Sequence, residues 1–372
     1  MSSKNISILI AVLLGVFAVV RFPTPDLRFS LRLLFEMFVA ISFACYLWET
    51  NKWMAMFLVL ATISVLIPFY GSVPLVSHMA FVSVFFGMVI YYIIIKTFTM
   101  RSAEYLYNAM CIIAIINLLY MGMQNLGCDP FFRHKDSVYQ PVGLMLNLNL
   151  ASALLAICFP AFLRKQWCWF MPAILLGLIM AKSSGGVLAV VVGTVFYFII
   201  KGSKGSVILP VAVLCGFIYF VDKNFSIKDV RLEAWQYAMS VYKKHWIMGA
   251  GIGNWKIIGI LKQQQLQNMG WTALHNDFIQ GLFEMGIGYI IVLAGYICDI
   301  FKRFSKKALI PATALIVICT NATVNFPFHI GTTAMLGVVW LAILEIHLTK
   351  EVFNGSRKRE REISVLHVSQ GL

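Results

Sequence analysis

The residues of this sequence best suited to chemistry fall in one polar interval, Val230 to Gly288, of an otherwise very apolar chain. Arg231 and Trp235 open it, Gly249, Gly251 and Gly253 form a flexible turn, and His275 and Asn276 close it just before the next apolar run. A neutral imidazole near its unperturbed pKa accepts a proton from a sugar hydroxyl at physiological pH, which makes His275 the strongest single candidate for a general base. Asn276 stands where it can orient that ring or hydrogen-bond a sugar. The planar, permanently charged fork of Arg231 suits a diphosphate, although an interfacial arginine that binds only lipid phosphates has the same spacing. Glu284 falls inside the following apolar run. An ionisable residue there marks a functional site, or pairs with a buried cation.

These residues need elements to hold them. Asp229 is a reasonable N-cap for a helix beginning at Val230. Val230, Ala234, Ala238, Met239, Tyr242 and Trp246 recur near helical spacing, which predicts one face lying on the membrane interface. Arg231 and Trp235 are four residues apart and share a face of that helix. The glycine turn lacks the Lys-Ser/Thr and the strand–helix setting of a nucleotide loop, so it reads as a hinge beside a lipid head-group.

The chain is 372 residues long, 60% hydrophobic and only 12% charged, with mean hydropathy +0.81. Soluble domains carry about 25% charged residues, so this is a polytopic membrane protein. The net charge of +14 is then explained by Lys and Arg gathered in cytoplasmic loops, and nucleic acid is excluded as a partner. Eight cysteines are scattered without a CxxC pair, which indicates neither a disulfide framework nor a metal cluster.

Apolar runs lie near 6–21, 31–48, 53–69, 78–96, 105–121, 144–163, 168–181, 186–200, 206–221, 277–300, 308–325 and 330–348. At roughly 20 residues per crossing they predict an all-α chain of about 12 transmembrane helices forming one membrane domain, 1–372. Lys and Arg concentrate in alternate loops, including Arg164, Lys165, Lys201, Lys204 and the 302–307 cluster. Both termini are therefore expected in the cytoplasm, with a long external loop at 222–276. Arg21, Arg28 and Arg32 run against that pattern. The basic tail 350–372 lacks apolar periodicity and reads as a solvated cytoplasmic anchor.

The order Arg231-Leu-Glu-Ala-Trp235, Gly249-Ala-Gly-Ile-Gly253, His275-Asn276 and Glu284-Met-Gly286 resembles the signature loop of the O-antigen ligase/O-antigen polymerase family. Gly143-Leu-Met-Leu-Asn147-Leu-Asn149 and Asn325-Phe-Pro-Phe-His329 are similar to two further family motifs, with packed helix ends as the plainer reading of each. Lys182-Ser-Ser-Gly-Gly186 resembles the family's Ser-Arg-Gly motif but has Ser184 where that motif has Arg, so either Lys182 supplies the missing cation or the phosphate-binding role lies elsewhere.

The resemblance implies an all-helical, C-type glycosyltransferase-like enzyme of the bacterial inner membrane that uses neither metal nor cofactor. Its donor is a glycan on an undecaprenyl-diphosphate carrier. The acceptor is lipid A-core in a ligase, a growing glycan in a polymerase, or a protein Ser in an oligosaccharyltransferase. His275 and Arg231 take the catalytic roles, and Lys182, Ser183, Trp235, Asn276 and Glu284 the substrate-binding ones. A transporter or flippase is the alternative from another class. It is disfavoured because Glu36 and Glu284 are the only acidic residues well inside the apolar runs.

Overall fold

A lipid environment offers the backbone no hydrogen-bond partners, so apolar runs of this length become helices. The computed structural model describes residues 25–65, 74–129, 140–202, 230–259 and 273–349, with backbone alone for 25–35, 74–75 and 230. The expected spans near 6–21 and 206–221, the tail, and loop residues 222–229 and 260–272 lie outside the described residues.

The described helices are α1 (Pro25–Trp48), α2 (Lys52–Val65), α3 (Pro74–Thr97), α4 (Ala103–Asn125), α5 (Leu148–Cys158), α6 (Met171–Met180), α7 (Ser184–Lys201), α8 (Val230–Tyr242), α9 (Asp277–Met285), α10 (Ile287–Arg303) and α11 (Leu309–Val324). A final helix, α12, covers Gly331–Thr349. No strand occurs among the described residues. Five segments are long and apolar enough to cross a membrane: Val76–Thr97, Ala103–Asn125, Ser184–Lys201, Lys306–Val324 and Gly331–Thr349.

Two runs that read as single spans are interrupted. In the run near 144–163, Leu146 is left-handed (φ 57°), and the Asn147 side chain caps α5 by accepting from the N–H groups of Asn149 and Leu150. The last turn tightens to a 3₁₀ helix, Phe159–Leu163, around Pro160, which has no N–H for the α-helical ladder. The run near 277–300 breaks at Gly286, where φ is +69°.

The chain divides into two compact units. The first comprises Met1–Met88, Val241–Gly270 and Gly281–Tyr296. Here the glycine turn docks backbone to backbone on the break at Gly286. Ala250 N–H donates to Phe283 O (2.7 Å), Gly251 N–H to Glu284 O (2.9 Å) and Ile287 N–H to Trp246 O (2.9 Å). A Cβ on Gly249 would sit 2.5 Å from the Glu284 carbonyl, and one on Gly286 would sit 2.2 Å from Ile247 O. Close approach of two backbones therefore explains these glycines, in place of the expected hinge beside a head-group. The unit also holds a part-buried His78–Glu36 pair.

The second unit comprises Val89–Ser240, Trp271–Gln280 and Ile297–Leu372. Its core joins Met110, Leu155, Phe159, Phe162, Val317 and Trp340, and the Trp340 indole N–H donates to Ile157 O at 2.8 Å. Gly185, Ala189 and Gly193 recur every four residues on α7, a small-residue stripe that lets α11 approach closely. A Cβ on Gly193 would reach 2.4 Å from Val317 Cγ2, and one on Gly185 would reach 2.9 Å from Val324 Cγ2. That packing sets the α11 end, and the turn after it, against the start of α7.

Candidate functional site

The turn at 323–329, which carries the chain from α11 to α12, is the common anchor of residues drawn from three other elements of the second unit. From α8, Arg231 Nη1 donates to Val324 O at 3.1 Å. Trp235, one turn on, donates its indole N–H to Leu274 O at 2.8 Å. The residue after Leu274 is His275, whose ring meets that of Phe326 edge-on with centroids 4.6 Å apart. From α7, Gly185 lies so close to Asn325 that an added Cβ would be 2.5 Å from its amide nitrogen. Ser183 is buried just ahead of that helix, and Lys182 is exposed.

Local chemistry explains why these residues stay in place. Asn276 caps α9: its Oδ1 accepts from the N–H groups of Phe278 (3.1 Å) and Ile279 (3.0 Å). Its amide donates to Thr323 O at 3.0 Å. The amide is thus committed to the α9 start and the α11 end. Leu274 N–H donates to the buried Gln280 side chain at 3.0 Å. With Leu274 and Asn276 both held, His275 is carried between them in a left-handed conformation (φ 53°). Lys182 shares it (φ 48°). Such backbone costs about 1–3 kcal/mol per non-glycine residue and persists only where its surroundings impose it.

Electrostatics follow from burial. Loss of solvent, and then the positive charge of Arg231, push the His275 pKa down to about 4. The ring is therefore neutral throughout the physiological range. Burial also lowers the Arg231 pKa from its ordinary value, yet an arginine remains charged near pH 7. Among the described residues no carboxylate forms an ion pair with it. Half-buried and charged, this guanidinium is suited to an anion.

The second unit thus brings Arg231 and His275 onto one turn, with Asn276 as the strap that holds it and Trp235 bonded beside His275. Lys182 and Ser183 stand ahead of α7 and are not brought onto that turn by any described contact. Glu284 belongs to the first unit. It is buried, and its carbonyl accepts from Ser64 Oγ at 3.0 Å as well as from Gly251 N–H.

Sequence reasoning missed Asp277 and, for His329, noted a family-like motif but favoured helix-end packing. The Asp277 carboxylate accepts from Phe328 N–H (2.9 Å) and faces His329 Nδ1 (2.5 Å). The available signal was an Asp placed directly after His275-Asn276 and a second His in the Asn325–His329 turn.

Fold and site together define an all-helical membrane protein whose cationic, imidazole-bearing cluster sits at helix ends. Residues 149–294 match the family described as O-antigen ligase. That match supports the O-antigen ligase/polymerase family, the resemblance carried by the motifs above. The matched stretch contains Lys182, Arg231, Trp235 and His275 and ends before the 323–329 turn. No curated protein matches the chain.

Proposed function

We propose that the chain transfers a glycan from an undecaprenyl-diphosphate carrier to an acceptor hydroxyl on the outer face of the bacterial inner membrane, as an O-antigen ligase does. The observation that carries this reading is the convergence of Arg231 and His275 on the turn at 323–329, with the start of α7 packed on the same turn. The family match supports lipid-linked glycan as the substrate class, and the geometry supports roles for Arg231 and His275. The architecture in this reading is C-type glycosyltransferase-like, with about 12 spans and both termini cytoplasmic.

The acceptor oxygen forms a bond to the anomeric carbon as the bond from that carbon to the phosphate oxygen breaks. The bonding pair leaves with the lipid diphosphate. Arg231, aided by Lys182 and Ser183, meets the charge that develops on this leaving group, the kind of stabilisation that is often the largest catalytic contribution. His275, neutral at working pH, draws the proton of the acceptor hydroxyl. Positive charge comes from side chains, so the proposed reaction is metal-independent. Trp235 and Asn276 hold His275 in place.

The test is glycan profiling of a deletion strain complemented with wild type, His275→Ala or Arg231→Ala at equal membrane abundance. Loss of long surface glycan with accumulation of lipid-linked donor supports transfer. Complete but unattached chains identify a ligase, and glycan capped at one repeat unit identifies a polymerase. Wild-type glycan from both variants overturns the assignment and favours a transporter.

A further inference from the structure

Asp277 opens α9, and its side chain is only 2% exposed. A buried carboxylate is costly unless it is paired and hydrogen-bonded. Its oxygens are directed at the far turn, one to Phe328 N–H at 2.9 Å and the other to His329 Nδ1 at 2.5 Å. The His329 side chain, by contrast, is 32% exposed. The two residues are 52 apart in sequence, so only folding creates the pair. A carboxylate on Nδ1 fixes the tautomer that carries its proton there and puts the basic lone pair on Nε2. It also stabilises the imidazolium once Nε2 is protonated, as in the acid–histidine pairing of serine hydrolases.

We propose that His329, held by the buried Asp277 carboxylate, is the terminal proton acceptor of the transfer site. This rests on the transferase reading given above. His329 and His275 are fixed on the same turn, since Phe326, which packs on His275, accepts the His329 N–H at 3.1 Å. Among the described residues, the titratable and charged groups held against that turn include Asp277 from α9, Arg231 from α8 and His275 from the segment ahead of α9. Of the two imidazoles, His275 lies beside the cation and His329 on the anion. A proton that leaves the acceptor hydroxyl is poorly held by His275, whose pKa is pushed down to about 4. It is taken up by the His329 imidazole, where the Asp277 carboxylate compensates the charge, and leaves to water from this partly exposed side chain. The overall step releases one proton for each glycosidic bond formed.

The test uses the full chain in spheroplasts of a deletion strain, where the medium sets the pH at the outer face. Initial transfer of a pulse-labelled sugar is measured for wild type, His329→Gln, His329→Ala, Asp277→Asn and His275→Ala at matched membrane abundance. His329→Gln is expected to lower the maximal rate about 100-fold or more. Asp277→Asn removes the carboxylate that fixes the ring tautomer and offsets the imidazolium charge, so its maximal rate is expected to fall about 10-fold or more. Added imidazole restores transfer in His329→Ala, which a purely structural defect does not allow. A His329→Gln protein as fast as wild type, or a His329→Ala protein that imidazole leaves inactive, overturns the proposal. If His275→Ala is inactive in either case, the transferase reading still stands; if His275→Ala also matches wild type, both fall.

Discussion

Replacing Gly185 by alanine changes one hydrogen to a methyl on α7 and tests whether the 323–329 turn governs activity. The new Cβ would lie 2.5 Å from the Asn325 amide nitrogen and 2.9 Å from Val324 Cγ2, where ordinary contact begins at 3.4 Å. Asn325 is buried, and its amide already bonds to Asn321 Oδ1 at 3.4 Å. It has little room to retreat, so the turn must move by roughly 1 Å in a close-packed interior. Overpacking of this kind costs about 1–3 kcal/mol, offset by up to about 1 kcal/mol because alanine favours the helix over glycine. The net loss of stability is therefore small, about 1–2 kcal/mol. The functional loss is larger, because Val324 carries the carbonyl that anchors Arg231. A displacement of about 1 Å at a reacting geometry costs on the order of 100-fold in rate. The assay pairs thermal unfolding in detergent with the rate of glycan transfer. Gly193→Ala is the control: its Cβ meets Val317 Cγ2 at 2.4 Å on the same helix pair, two turns further along α7. It should cost similar stability with a much smaller loss of rate. Equal rate losses in the two variants, or a Gly185→Ala protein with wild-type rate, would refute the argument.

Trp235→Phe keeps the ring but removes the indole N–H that holds Leu274 O; it should cost about 1 kcal/mol and slow transfer at least tenfold by loosening His275. The depressed pKa of His275 ties stability to pH. The unfolded chain takes up a proton near pH 6.5 that the folded site refuses until about pH 4, so this contribution is complete above 6.5 and is lost as pH falls toward 4. Unfolding temperatures measured across that range should fall more for wild type than for His275→Gln, and parallel curves would show that His275 is not held neutral. Gly249→Ala places a Cβ against the Glu284 carbonyl at a φ of +75°, and should destabilise the protein by several kcal/mol; near-wild-type unfolding would restore the hinge reading of that turn.

Much of the helical plan was legible in the chain because hydrophobic runs of spanning length leave the backbone no alternative in lipid. The apolar runs around 78–96, 105–121, 186–200, 308–325 and 330–348 each contain or overlap a long apolar helix. The interruptions were less legible. Gly286 breaks the run after His275 because Trp246, Ala250 and Gly251 pair with the backbone of Phe283, Glu284 and Ile287 around it and Ile247 O approaches it closely, a requirement set by a distant segment. The small-residue stripe of α7 stood in the sequence, but the helix it faces did not.

The sequence by itself determined that this is a polytopic, basic, all-helical chain with Arg231, His275 and a glycine turn in its main polar interval, because composition and residue type are local properties. Only the tertiary structure decided what those residues do to one another. Arg231 finds its carbonyl at Val324, 93 residues away, and Asn276 spends its amide on a helix cap and on Thr323. Asp277 pairs with His329 across 52 residues. Hydrogen bonds and desolvation depend on distance in space, which residue spacing along the chain does not encode, and they turn a row of polar residues into a neutral imidazole beside a cation and a second imidazole on a buried acid.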